Sequence, residues 1–307
     1  MKRRDFFKKS AVAGVATGAA ISAIDANKLY AATDKLLDVP YDLVSVKGGE
    51  PWAMFDKAIA SMGGMQKFVS KGDVVLVKPN VGWNVRPELA ANTNPYLVKQ
   101  VIQHCFNVGA ARVVVFDHTC DDWRACYENS EIKKFAAEAG ADVVPGNDED
   151  DYYDVGIPGA KSLKSAAVHK WYRDADKIIN VPVLKSHGSA RLTIAMKNLM
   201  GVVWDRGYWH RNDLQQCIAD FPLYRKPDLN VVDAYRAMMK NGPRGKGESD
   251  VVTMKYQVVS PDIVAADAAA TKIFGLEIDD VPHIRKGAEL GYGADDLSKL
   301  SINRIEM

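Results

Sequence analysis

Cysteine is scarce in this chain. Four occur in 307 residues, at Cys105, Cys120, Cys126 and Cys217, and none forms a C-x-x-C pair. A four-cysteine zinc or iron–sulfur site built within the chain is thereby excluded, and no iron–sulfur cluster motif is present. The sequence also lacks a run of about 20 strongly apolar residues, the length a membrane-crossing helix needs. Internal repeats, sustained heptads and low-complexity tracts are missing too, which removes solenoid, coiled-coil and fibrous architectures. Charge of one sign is not in excess: 40 Lys and Arg stand against 39 Asp and Glu. With no basic tract, nucleic acid is a poor partner. What is there is 47% hydrophobic content over a length that can bury a sizeable core.

Residues 1–32 stand apart from that core. Arg3 and Arg4 precede Phe6, Phe7, Lys8 and Lys9, and an Ala/Gly/Val-rich segment interrupted by Asp25 follows. This order resembles a bacterial twin-arginine export signal ending near Ala31 or Ala32; an uncleaved membrane anchor and a basic amphipathic helix are the alternatives. The expected organisation is a signal over 1–32 and one α/β domain over 33–307. Without the signal the chain keeps 34 basic and 37 acidic side chains, a net charge of −3. The expected location is the periplasm, or export by the twin-arginine route, with the membrane met only through an uncleaved signal. That route carries folded proteins, often with a cofactor or partner attached, which turns attention to redox and metal chemistry.

Short Val/Ile-rich runs alternate with helical stretches through the rest. The runs "GDVVLVKPNV", "ARVVVFDHT", "DVVP", "ADKIINVPVLKSHG", "DLNVVDA" and "MKYQVVS" read as strands. Helices are predicted in "NPYLVKQVIQHCFNVGA", in "NSEIKKFAAEAGA" with Asn129 or Ser130 as cap, and in "DIVAADAAATKIFGL". The expected fold is α/β, a mainly parallel sheet with helices on both faces in a single large domain. Cys105 and Cys217 fall in helical runs as small core residues.

Ligands of such sheets bind beyond the carboxyl ends of the strands. Four strand ends here are polar: Lys78 and Asn80, Asp117 and His118, Lys185 and His187, and Asp233. After Lys185, the residues Ser186, Gly188 and Ser189 suit a tight turn and an N-cap, and "ARLTIAMKNLMG" has helical spacing up to Gly201. A helix N-terminus there, with Lys185, Arg191 or Lys197 nearby, would make an anion cradle; lysines snorkelling from a solvated face is the plainer alternative. Asn198 and His210 follow closely. The loop "KNGPRGKGE", with Arg244 and Lys246 among glycines, reads as a lid over an anion or as a plain surface loop. Trp204, Tyr208 and Trp209 beside His210 would either wall a flat ligand or pack the sheet edge.

"DHTCDDWRAC" gathers His118, Cys120 and Cys126. In an oxidising compartment a Cys120–Cys126 disulfide is favoured, with free thiols or a transition-metal site as alternatives. The acidic run "NDEDDYYD" lacks the spacing and central glycine of a calcium loop and reads as a solvated loop.

The motifs "VLVKPNV", "NVPVLKSH", "AMKNLMGVVWDRGYWH", "NVVDAYRAMMKNGPRG" and "DIVAADAAATKIFGL" resemble the bacterial and archaeal domain of unknown function family 362, in order and from about Val44 to Leu276. Many members append a ferredoxin-like module with cysteine clusters; this chain has none, so iron–sulfur chemistry does not carry over. A looser similarity of layout to the nickel-dependent lactate racemase family, whose sites use Lys and His around a cofactor, has no residue-by-residue match.

The functional expectation is an exported enzyme whose pocket binds an anionic organic substrate or cofactor, a carboxylate or phosphate. Lys185, His187 and Asp233 are the catalytic candidates, with Lys185 and His187 an acid–base pair. Lys78, Asn80, Lys197, Asn198, His210 and Arg244 are the anion-binding candidates. Oxidoreductase and isomerase chemistry both stay open and no particular cofactor is indicated. The alternative is a non-catalytic accessory protein that binds a cofactor or a redox partner protein.

Overall fold

The computed structural model describes residues 38–307, so the export signal read over 1–32 lies outside them. In chain order, β1 (Leu43–Lys47) leads to α1 (Pro51–Ser61), β2 (Val74–Pro79), α2 (Pro95–Asn107), β3 (Arg112–Val115), α3 (Trp123–Asn129), α4 (Ile132–Glu138) and β4 (Asp142–Val143). A separate antiparallel ribbon, β5 (Tyr152–Gly156) and β6 (Ser165–His169), precedes α5 (Lys170–Asp174). Then come β7 (Lys177–Val181), β8 (Val183–His187), β9 (Arg191–Thr193), α6 (Ala195–Asn198), α7 (Arg206–Arg211) and α8 (Leu214–Asp220). The chain finishes with β10 (Leu229–Met238), β11 (Val251–Ser260), α9 (Ile263–Phe274), α10 (Pro282–Glu289) and β12 (Ile302–Glu306).

The main sheet has the order β12-β1-β11-β10-β7-β2-β3-β4, with the β8–β9 hairpin attached to β10. Its pairings are mostly parallel; β11 runs antiparallel to both neighbours, and β9 to β8. Cap chemistry sets the helix starts. Asn94 accepts from Tyr96 N at the head of α2, and Asp262 accepts from Val264 N and Ala265 N at the head of α9, which Gly275 closes with φ +88°. Asn129 or Ser130 was expected to cap the helix at 132; Ser130 Oγ does accept from Ile132 N, at 3.4 Å, although Glu131 holds the cap position.

Side chains alternate across each strand, and that alternation sorts the core into two layers. Val75, Val77, Ile179, Val231 and Val259 pack with α1, α2 and α4 on one face. Leu76, Ile178, Val232 and Val258 pack with α6, α8, α9 and α10 on the other. Lys78, Asn180, Asn230 and Ser260 continue the second set, and register places them side by side: Lys78 opposite Asn180, Asn180 opposite Asn230, Asn230 opposite Ser260. All four are fully buried, forming a polar row across four adjacent strands. Such a row survives in a core only if its hydrogen bonds are made. Asn180 Nδ2 donates to Asn230 Oδ1 at 3.0 Å, and Asn230 Nδ2 to the Ser260 carbonyl at 3.3 Å.

Two local expectations change. The helix predicted from Ala190 to Met200 is instead the β8–β9 hairpin, then one turn of α6, then a 3-10 turn over Leu199–Val202. The turn Gly188-Ser189-Ala190 lets Arg191 pair back on His187, so the polar residues after Lys185 close a hairpin and cap no helix. The N-terminus of α6 is no anion cradle either. Asp267 of α9 already fills it, accepting from Ala195 N at 2.6 Å and Met196 N at 3.1 Å.

Candidate functional site

Beyond the carboxyl ends of β2, β3 and β8 lies a cavity of about 270 Å³. β2 delivers Asn80, β3 delivers Asp117 and His118, and β8 delivers Lys185 and His187. The opposite wall comes from α6, through Lys197 and Asn198, and from α7, through Arg206 and His210 one helical turn apart.

Behind this wall the polar row meets the site. Lys78 Nζ donates to the Asn198 carbonyl at 2.6 Å and to Asn198 Oδ1 at 2.9 Å, and it lies 2.9 Å from Asp117 Oδ1. Asp117 Oδ2 accepts from Val81 N at 2.7 Å. Asn198 Oδ1 also accepts from Asn80 Nδ2 at 2.8 Å, and Asn80 Oδ1 accepts from Lys185 Nζ at 2.9 Å. Lys185 Nζ has a second acceptor in the Ala91 carbonyl. Two lysines are thus joined through two asparagine amides, and one of them is charge-paired. Gly201 permits the packing: a Cβ there would stand 1.8 Å from Asp117 Oδ1 and 2.7 Å from Lys78 Nζ.

The cationic side is uncompensated. Lys185 has neutral acceptors only, and Lys197 Nζ rests 3.2 Å from Met200 Sδ. Arg206 uses three of its five N–H donors, on the His118 and Thr119 carbonyls, at 2.9 and 2.7 Å, and on Cys120 Sγ at 3.3 Å. Among the described residues Asp117 is the one carboxylate in the cavity wall, and Lys78 pairs with it. Burial pushes the Lys185 ammonium down to about 7 and the Lys197 ammonium down to about 8. Burial lowers Lys78 as well, opposed by Asp117. His187 is driven down to about 2 by burial, then by Lys197 and Lys185; its Nδ1 accepts from Ser189 N at 3.3 Å and Ala190 N at 3.2 Å. His210 is lowered too, by burial first.

Lys185, His187 and Asn80 from the strand ends share one cavity with Lys197 and Asn198 of α6 and His210 of α7. Lys78 stands directly behind it. Asp233 is a correction: it occupies the other face of β10, where its carboxylate accepts from Asn94 N at 2.8 Å and Tyr235 N at 3.1 Å. It braces the start of α2, and burial raises it to about 6. Arg244 is a second: it pairs loosely with Asp121 at 3.7 Å outside the cavity, and Pro243 reaches the wall instead. Asp250 holds that loop through Asn241 Nδ2 and Lys246 N, both at 2.7 Å.

Cys120 and Cys126 are free thiols in the structure, against the favoured disulfide. Cys126 is buried with Sγ 3.7 Å from the Gly82 carbonyl, while Cys120 turns to Arg206. They make no metal set with His118, whose ring stacks on Trp204 at 4.9 Å; among the described residues no cluster of three or more His, Cys, Asp or Glu could hold a metal. Cys105 and Cys217 are core residues as expected. Of Trp204, Tyr208, Trp209 and His210, His210 alone lines the cavity: Trp209 is fully buried and Tyr208 is exposed. The acidic run forms a 3-10 turn, Glu149–Asp151, and β5.

Sequence reasoning missed Trp83, Thr193, Met200 and Arg206 in the cavity wall. Arg206 carried a signal, as an arginine one turn before His210 on a short helix. Thr193 carried none, since it sits within an apolar run.

The family model described as "Domain of unknown function (DUF362)" matches residues 75–272. A thylakoid-associated protein of Synechocystis sp. is 27% identical over 261 residues, covering 80% of this chain and 77% of that protein. The lactate racemase apoprotein from Thermoanaerobacterium thermosaccharolyticum superposes with a TM-score of 0.39 at 10% identity, over 69% of this chain and 53% of that one. The chain spans about half of the racemase's length.

Proposed function

The chain belongs to the domain of unknown function family 362, and from that premise we propose that it is an exported enzyme binding an anionic organic molecule, a carboxylate or phosphate, in the cavity beyond β2, β3 and β8. One observation carries this reading: Lys185, Lys197 and Arg206 face a single cavity whose carboxylate, Asp117, is already paired with Lys78. Several cations gathered in a partly dry space repel one another, and an anion relieves the repulsion. A lysine whose pKa lies near neutrality is also suited to proton transfer, because both its forms are populated at working pH. Lys185 is accordingly the acid–base group, held by Asn80 and Ala91. Lys197 and Arg206 hold the anion, and Asn80 and Asn198 keep Lys78 and Lys185 in register.

Native mass spectrometry on protein taken from its own compartment identifies the bound species, and an anionic small molecule is expected. Lys185→Ala should then weaken that ligand by about 1.5–3 kcal/mol, the worth of a charged hydrogen bond. The exposed Lys71→Ala serves as control. Equal affinities for the two variants would remove Lys185 from the site.

A non-catalytic role has one observation in its favour. Trp52 and Tyr96, 40% and 46% exposed, lie side by side at 5.7 Å and offer an aromatic surface to a partner protein. Retained affinity for the native ligand with no turnover under any condition would favour that reading.

A further inference from the structure

We propose that His187 transfers no proton and works as a fixed neutral donor, presenting Nε2–H to an acceptor oxygen of the bound molecule. The inference rests on the reading of the cavity as an anion site and deepens it, since it assigns what the ligand must offer at one end.

The hairpin turn decides the tautomer. Ser189 N and Ala190 N both donate to His187 Nδ1, at 3.3 and 3.2 Å. A nitrogen that accepts cannot also carry a proton, so the neutral ring bears its hydrogen on Nε2. Placing a proton on Nδ1 would break both contacts and leave two N–H groups aimed at an N–H. The surrounding charge acts in the same direction. Lys185 lies on the same strand, Arg191 is paired with His187 across the hairpin, Lys197 comes from α6, His210 from α7 and His283 from α10. Each is cationic or becomes so on protonation, and each opposes an imidazolium. The Ser189 hydroxyl also sits on the Nδ1 side, its Oγ 3.4 Å from His187 Nδ1 and 3.5 Å from His210 Nδ1.

The ring that lines the cavity therefore offers it one donor and no acceptor. A ligand fits when it turns a carbonyl or carboxylate oxygen to His187 and its negative charge to Lys197 and Arg206. If charge builds on that oxygen when Lys185 removes a proton nearby, a neutral N–H that never leaves stabilises it without a proton changing hands.

Two measurements on the whole chain test this. In nitrogen-15 spectra of the histidine rings, His187 should show a protonated Nε2 and a bare Nδ1 unchanged from pH 5 to 9. A protonated Nδ1, or a titration within that range, would overturn the assignment. The second uses oxalate as probe, by calorimetry at pH 7. A glutamine side chain places an amide N–H near the Nε2 position, whereas asparagine places an acceptor near Nδ1. His187→Gln should keep oxalate affinity within about threefold, and His187→Asn should lose about tenfold or more. If Asn rescues and Gln does not, the ring only closes the hairpin and the proposal falls. Wild-type protein that binds no oxalate would instead count against the anion site, and the spectra would still decide the state of the ring.

Discussion

Lys197 is buried on α6 with a thioether as its neighbour, and among the described residues it makes no ion pair. A charge so placed costs stability and is kept for what it binds. Lys197→Met should raise the free energy of unfolding, on the order of 1–2 kcal/mol, and remove anion binding. The pH dependence has a definite sign. Lys185 and Lys197 sit at about 7 and about 8 in the folded chain, below their ordinary 10.5. Between those values the unfolded chain binds more protons, so stability rises with pH from about 7 towards 10.5. A bound anion works the other way, favouring both ammonium forms; binding should take up protons, and affinity should fall as pH rises from 7 to 9. Denaturant midpoints and calorimetry in two buffers of different ionisation heat measure the two effects. Gly201→Ala is the opposite kind of change: its Cβ would collide with Asp117 and Lys78, costing about 1–3 kcal/mol.

At the scale of elements, α6 is only four residues long and has little stability of its own. Hydrogen bonds from three distant elements hold it. Asp267 of α9 takes the N–H groups of Ala195 and Met196, and Asn198 is tied to Lys78 of β2 and Asn180 of β7. Asp267→Ala should therefore cost about 1–2 kcal/mol as a lost cap and weaken anion binding without altering any residue of the cavity wall. Undiminished affinity in that variant would show that α6 positions Lys197 without its cap. His283 stands behind Asp267 with Nε2 3.9 Å from Oδ2, and burial pushes the ring down to about 3.

For the whole molecule the export signal is the expectation that reaches furthest. Changing Arg3 and Arg4 to Lys should leave the precursor in the cytoplasm, as cell fractionation would show; unchanged export would mean that these arginines are not read as a signal. The two-layer α/β core, in contrast, is written in local pattern. Val/Ile runs bounded by Pro, Gly and Asn mark the strands, and the polar residues closing them mark the edge where the cavity lies. Asn80, Lys185 and His187 were legible for that reason, and Lys197 and His210 because they crowd into the stretch that follows Lys185. Asp233 was not placed correctly, because its parity differs. It follows Val231 and faces α2, whereas Asn230 and Val232 face the cavity side. Parity within one strand is a property of the sequence, but parity between strands depends on register, and register is set by the packed sheet. The hairpin after Lys185 escaped for a related reason: "ARLTIAMKN" has helical spacing, yet β8 is anchored to β10 and the turn folds β9 back on it. The sequence alone determined the runs that became β2, β3, β4, β7 with β8, β10 and β11, and the helices on both faces of the sheet; β1, β5, β6, β9 and β12 were not read from it. Tertiary structure alone decided which face Asp233 occupies, that Asp267 closes the N-terminus of α6, that Cys120 turns to Arg206, and which nitrogen of His187 accepts. Each of these depends on a partner brought near by folding, and no local spacing encodes it.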